Sequence, residues 1–242
     1  MNLNNKYEKK YKNLYMLKYP SEEHADFYEK MTKFKRSMSK EENKMLAYKL
    51  VDEFQKSNNN ESIIRIFKGY AEDLNKIINR LYNRNVMSEI KVDYFKKIIG
   101  SSKASRSIKF IIINIPSILL ASKMYNESIE NIFKTVYLHE VGHLFHYQDT
   151  KYLDKILQFD KLGQESIRMS LDEFIDYCNV SFYNEIYASE FAVRVCPEIC
   201  IDYLEVCLYS HWVENLKNVI LFDDYSIGYI KHRGLNFINI DI

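Results

Sequence analysis

The chain has 242 residues, of which 47% are hydrophobic and 28% charged, so it can bury a sizeable core and is expected to be globular. Its formal net charge of +1 provides no overall field for nucleic acid or a membrane surface, and neither is expected as a partner. No apolar run approaches the ~18 residues of a membrane span, and residues 1–19 lack the apolar segment of a signal peptide. We therefore expect a cytoplasmic protein.

The first hundred residues predict a helical region. Residues 1–20 are expected to form a loosely docked arm, because their lysines surround a few aromatic residues without a clear period. Helices are predicted over 22–36, 40–56 and 61–82, where hydroxyl caps, acidic first turns or a continuous apolar stripe have helical spacing.

Strand signals follow the third helix. A short strand is predicted over 86–92, and a stronger one over 107–115, where β-branched and aromatic residues precede Pro116. Residues 101–105 are polar and predict a loop, whereas 117–122 are apolar and predict an edge strand. The strand over 110–115 or the edge strand near Ser117 is expected to line a cleft and pair with an extended substrate.

Helical patterns dominate the second half of the chain. They are predicted over 127–148 with Asn126 as the N-cap, 171–178, 181–195, and 198–217 after Pro197, with a tail (223–242) that ends in a hairpin near Gly234. Together these elements predict an α+β fold that is predominantly helical and contains a small β-sheet. We expect two parts, an N-terminal helical region (1–100) and a core (101–242).

Residues 139–143 have the form HExxH. On a helix, positions four apart lie on one face, so His139 and His143 can bind the same metal ion. Glu140 follows in the same turn, where its carboxylate can act as general base towards a water molecule. The motif predicts a zinc-dependent peptidase; the alternative is a pair of ordinary hydrogen-bonded histidines on a half-buried helix.

A catalytic zinc ion generally takes three protein ligands, so the motif needs one more. His146 points partly round the helix and is interpreted as a neighbouring or surface group. Asp149 has the spacing used by other zincins, but these need a glycine where this chain has His146. Glu185, on a later helix, can reach the two-histidine face, and Glu190 is the fallback, because the two glutamates lie on different faces of that helix.

The segment 183–192 resembles the E-x-x-A-[ND]-x-F-A signature of the ImmA/IrrE metallopeptidase family. The matching residues are Glu185, Ala188, Phe191 and Ala192. The resemblance covers roughly residues 108–197 and includes the apolar residues after HExxH. It implies a zincin-like peptidase core, a gluzincin site in which His139, His143 and Glu185 bind Zn²⁺, and a protein or peptide substrate.

Two departures from that family concern the surroundings of the metal. Ser189 replaces the Asp or Asn that orients a metal-bound histidine, and a serine accepts that hydrogen bond more weakly. The long spacer before Glu185 is similar to lethal-factor-like peptidases and Pro-Pro endopeptidases, which place an oxyanion-stabilising tyrosine seven residues before the ligand. Here that position is Cys178, and its neighbour is Tyr177.

Tyr177, Tyr183 and His211 are the candidates for stabilising the oxyanion. We expect a zinc endopeptidase with Glu140 as general base. The alternative is a non-catalytic zincin-fold regulatory protein that holds a partner through its N-terminal helices, but such a protein has no need of Glu140.

The four cysteines lie in one region, between residues 178 and 207. Cys196 and Cys200 are four apart and raise the possibility of a second metal site, but no CxxC pair or histidine cluster accompanies them. Reduced and mostly buried thiols are therefore the preferred interpretation.

Overall fold

The computed structural model describes residues 40–58, 60–83, 89–93, 103–105, 110–146, 170–208, 210–211 and 215. The arm 1–20, the helix 22–36, Asp149 and the tail 223–242 lie outside these residues. The described elements are α1 (Lys40–Ser57), α2 (Asn60–Tyr82), β1 (Glu89–Asp93), β2 (Lys103–Ser105), β3 (Phe110–Asn114), α3 (Ile115–Tyr125), α4 (Ile129–His146), α5 (Leu171–Val195) and α6 (201–208). The prediction of a predominantly helical chain is confirmed.

The three strands form one sheet in the order β1-β3-β2. β3 pairs in parallel with β1 and antiparallel with β2, so that Ile111 lies opposite both Ile90 and Ala104. Ile111 and Ile113 are fully buried, and a buried strand needs hydrogen-bond partners on both edges. The prediction of a loop over 101–105 is therefore wrong at β2, and the central β3 has no edge for a substrate.

The predicted edge strand over 117–122 is also wrong, because these residues belong to helix α3. Asn114 caps the helix by accepting a hydrogen bond from the Ser117 amide at 3.0 Å, and Pro116 lies in the first turn, where no amide donor is needed. Ile118 and the three residues after it are buried. A continuous apolar run of this length fits a buried helix as well as a strand.

Asn114→Ala is expected to reduce the free energy of unfolding by about 1 kcal/mol, because it leaves the Ser117 amide without its cap. The measurement is denaturant unfolding, with an unchanged slope and a lower midpoint. Ser57→Ala is the control, since the Ser57 hydroxyl donates a hydrogen bond to the Glu53 carbonyl at an exposed helix end and caps no amide there. Equal midpoints for the two variants would contradict this role of Asn114.

The sequence predicted Asn126 as the N-cap of α4, and this prediction is wrong. Asn126 ends α3 in the left-handed conformation (φ 53°, ψ 39°), and its amide donates to the Ser122 carbonyl. Asn is one of the few residues that adopt this conformation readily. Ser128 then caps α4, since its hydroxyl accepts a hydrogen bond from the Asn131 amide at 3.0 Å.

The two helices predicted over 171–178 and 181–195 are the single helix α5. A capping box begins it, in which Ser170 and Glu173 each accept a hydrogen bond from the other's backbone amide. Phe174, Cys178 and Phe182 continue one buried stripe at four-residue spacing, so burial carries the helix through the predicted break.

One hydrophobic core joins α1 and α2 to β3, α3, α4 and α5. The buried rings of Phe67 and Phe133 lie 5.0 Å apart between α2 and α4, and the Tyr137 hydroxyl donates to Asn75 Oδ1 at 2.9 Å. Helices from both sides of residue 100 thus pack on each other, and α4 lies between α2 and α5. Within the part of the chain described here, no helix combines the length and apolarity needed to cross a membrane.

Candidate metal centre

Helices α4 and α5 come into backbone contact at Gly142. A Cβ atom added there would lie 2.7 Å from the Ala188 Cα and 2.8 Å from its carbonyl oxygen. Only glycine fits so close an approach. Along the two helices, His139 contacts Ser189 whereas His146 contacts Asn184, so the helices run antiparallel. This packing places Glu185 of α5 over the HExxH face of α4.

The side chains of His139, His143 and Glu185 converge at this crossing. Their candidate ligand atoms all lie within 4.8 Å of one another. His139 Nε2 is 3.1 Å from both His143 Nε2 and Glu185 Oε2, and His143 Nε2 is 3.6 Å from Glu185 Oε1. The three side chains are largely buried, with 9–16% of their surface exposed.

These separations suit a zinc ion. Zinc bonds of about 2.0–2.2 Å in a tetrahedral arrangement hold neighbouring ligand atoms roughly 3.3–3.6 Å apart. The observed distances of 3.1, 3.1 and 3.6 Å bracket that value. Two imidazoles and one carboxylate are also a ligand set of catalytic zinc, which leaves a fourth position for water or substrate. The residues present therefore fit the ion.

The electrostatics of the cluster are dominated by Glu185. Burial alone would raise the pKa of this carboxyl, but hydrogen bonds from His139 and His143 hold the pKa well below its usual value. Burial alone would lower the pKa of the His143 imidazole, but the hydrogen bond to Glu185 and the negative charges of Glu185 and Glu140 raise it to about 9. For His139 burial prevails, and the pKa is lowered. The ionised Glu185 carboxylate thus interacts with both imidazoles.

Glu140 is buried, with 7% of its surface exposed. Its charge helps to raise the pKa of His143, and it contributes, after Cys207 and burial, to the raised pKa of Tyr203. Tyr203 lies in α6 with its ring 5.6 Å from that of Tyr125. Tyr203 was missed in the sequence analysis, because its proximity to Glu140 depends on how α6 packs.

Two polar contacts surround the ligand cluster. Ser189 Oγ lies 3.2 Å from His139 Nδ1, the nitrogen that faces away from Glu185, which is the contact predicted for this serine. His146 Nδ1 donates to Asn184 Oδ1 at 2.6 Å, and the His146 ring is completely buried. His146 is therefore not a surface group. Asn184 was missed, although its position directly before Glu185 on a helix could have drawn attention to it.

The other predicted site residues lie at different distances from the cluster. His211 Nε2 is 3.6 Å from Glu185 Oε2, and 44% of its side chain is exposed. The ring of Tyr183 packs against His146 with centroids 5.8 Å apart. The ring of Tyr177 stacks on Phe174, and its Cα precedes that of Glu185 by about 12 Å along the helix. Glu190 is exposed, and it does not belong to the cluster.

All four cysteines are free thiols, as expected. Cys178 and Cys200 are buried, and burial raises the pKa of both thiols. Among the described residues no cysteine belongs to a group that could hold a metal ion, so a second site at Cys196 and Cys200 finds no support. Cys178, at the position where the lethal-factor-like peptidases have their tyrosine, is buried in the core.

Comparison of the chain with protein-family models, curated proteins and solved structures gives no match. The resemblance to the ImmA/IrrE peptidases therefore rests on the motif residues themselves. In the structure, His139 and His143 of the HExxH motif converge with Glu185, which lies on a helix more than 40 residues later.

Proposed function

We propose that this chain is a zinc-dependent endopeptidase of the gluzincin type, with a zincin-like peptidase core. The observation that carries the proposal is the convergence of His139, His143 and Glu185 within 4.8 Å, with the buried Glu140 beside them. Burying an ionised carboxylate is costly unless it is paired or binds a metal ion, so such a cluster favours a functional site.

His139, His143 and Glu185 would hold the zinc ion, which would lower the pKa of a bound water into the neutral range. Glu140 removes a proton from the attacking water and later returns it to the leaving amine. His211 is the best placed of the three oxyanion candidates, because its Nε2 already reaches Glu185, whereas the known ring contacts of Tyr177 and Tyr183 are with Phe174 and His146.

The substrate is proposed to be an extended segment of a protein or peptide that adds to the outer edge of β2. Among the described strands, β2 pairs with β3 alone, and its residues pack next to α4. An extended peptide gains main-chain hydrogen bonds at such an edge without a demand on its sequence. The strand β2 is in contact with α4, the helix that carries HExxH.

Glu185→Ala is expected to remove zinc from the protein, because two imidazoles remain where catalytic zinc takes three protein ligands. The measurement is elemental analysis of protein purified without added metal, where the wild type should carry about one zinc ion per chain. Glu190→Ala is the matched control, since it removes an exposed glutamate from the same helix and should leave the zinc content unchanged. A wild type that takes up no zinc even when it is offered would end the peptidase proposal.

The alternative is a regulatory protein that binds a partner through its N-terminal helices. The observation in its favour is that Met45 and Tyr48, about one turn apart on α1, are 68% and 46% exposed. The two proposals differ in what they require of Glu140, and its replacement separates them.

A further inference from the structure

A buried polar pair links α4 to α5 beside the ligand cluster. His146 has no exposed surface, and Asn184 is 8% exposed. The His146 Nδ1 donates to Asn184 Oδ1 at 2.6 Å, and the His146 ring stacks on Tyr187 with centroids 4.4 Å apart and planes inclined by 18°. Two apolar side chains of similar size could fill the same space at little cost in stability, so packing of the core does not require this hydrogen bond. What a hydrogen bond adds is a fixed relative orientation.

The pair lies next to two of the proposed zinc ligands, whose relative orientation determines whether they can bind one ion. His146 follows the ligand His143 by about one turn of α4, and Asn184 directly precedes the ligand Glu185. On the other side of the cluster, Ser189 contacts His139. The two helices are thus tied on both sides of the residues that converge.

A small rotation of α5 would separate these ligands. A carboxylate on a helical side chain lies about 6 Å from the helix axis, so a rotation of ~10° moves it by roughly 1 Å. Distances in a metal site must be kept within about 0.2 Å. Packing of apolar side chains tolerates a shift of this size more readily than a metal site does.

We propose that His146 and Asn184 are positioning residues for the zinc site, and that their hydrogen bond fixes the rotation of α5 at which Glu185 meets the two histidines. The inference rests on the proposed function. Neither residue touches the reacting atoms. Their effect is exerted through Glu185, His143 and the geometry of the bound ion.

The test compares His146→Phe with the double variant His146→Phe/Asn184→Leu. The single change keeps a ring on Tyr187 but leaves the Asn184 oxygen without the His146 donor. The double change removes both polar groups, and with them the hydrogen bond between Asn184 and His143. Zinc affinity is measured by competition with a chelator, stability by unfolding in the presence of excess chelator, and ligand geometry by the visible absorption spectrum of the Co²⁺-substituted protein.

Both variants are expected to bind zinc about 10–100-fold more weakly than the wild type and to show an altered cobalt spectrum. Tyr137→Phe is the control, because it removes another hydrogen bond between helices, the partly buried one from Tyr137 of α4 to Asn75 of α2. It should lower stability and leave zinc affinity unchanged. This contrast separates positioning of the ligands from general support of the fold.

A double variant that binds zinc as tightly as the wild type, with the same cobalt spectrum, would overturn the inference and leave the proposed function intact. A wild type without zinc affinity would overturn both. If the single variant does not fold, the zinc affinity and cobalt spectrum of the double variant test the inference.

Discussion

Replacing Glu140 with glutamine is expected to lower peptide hydrolysis by a factor of about 10²–10⁴ while zinc stays bound. Glutamine has the size of glutamate and still forms hydrogen bonds, but its amide cannot accept the proton of the attacking water. Glu140 is not one of the three residues whose ligand atoms converge, so the metal site keeps its donors. Because the residue is buried and the replacement has the same shape, no cavity arises.

The measurement is cleavage of a mixed peptide library, followed by mass spectrometry of the new termini, beside elemental analysis of the same preparation. Glu130→Gln is the matched control: it is the same substitution on the same helix, and it removes only a surface ion pair with Lys134. Its activity should equal that of the wild type. If Glu140→Gln keeps zinc and full peptide hydrolysis, Glu140 is not the general base. If neither the wild type nor the variant hydrolyses peptides, and the variant keeps zinc and the full cellular effect of the wild type, the binding-protein alternative is supported instead.

The long amphipathic helices could be predicted because their apolar residues have a clear period. In α2, Ile63, Phe67, Leu74 and Ile78 lie on one face and are all buried, and the predicted range 61–82 differs from the observed Asn60–Tyr82 by one residue. The pattern and the packing agree because one face of α2 meets the core and the other meets solvent.

The errors occur where the sequence has no period or where a partner supplies the missing information. α3 is apolar on nearly every side, so its residues satisfy a strand pattern and a helix pattern equally well. β2 has three residues and no apolar alternation, and β3 supplies its hydrogen-bond partners. Such elements are determined by tertiary contacts, which a local pattern does not contain.

Some residues of the candidate site could likewise be predicted from local spacing, whereas others depend on tertiary packing. His139 and His143 could be paired from sequence because one helix fixes their spacing. Glu185 comes from another helix, so helical spacing could only make it one candidate among several, and the resemblance of its segment to a known signature favoured it. Tyr203 could not be placed at the site from sequence, because its position depends on how α6 packs. Asn184 lies directly before Glu185, but its hydrogen bond to His146 depends on how α5 packs on α4.

Replacing Gly142, where α4 contacts the backbone of α5, is expected to have the second large effect. Alanine is a better helix former than glycine by about 1 kcal/mol, so Gly142→Ala would stabilise α4 if the helix were isolated. In the folded chain the new Cβ would lie 2.7 Å from the Ala188 Cα, and the atoms in its way belong to a backbone, which cannot turn aside as a side chain can. Overpacking of this kind costs about 1–3 kcal/mol.

We therefore expect Gly142→Ala to be destabilised in denaturant unfolding and to bind zinc weakly, because α5 must move away and take Glu185 with it. Gly69→Ala makes the same change inside helix α2, where nothing lies within 4 Å of the added Cβ, and it should be stabilised by about 0.5–1 kcal/mol. The two substitutions thus have opposite expected signs for one physical reason, the presence or absence of a neighbouring backbone. If both were stabilising and zinc remained tightly bound, the contact at Ala188 would not be what sets the distance between Glu185 and the two histidines.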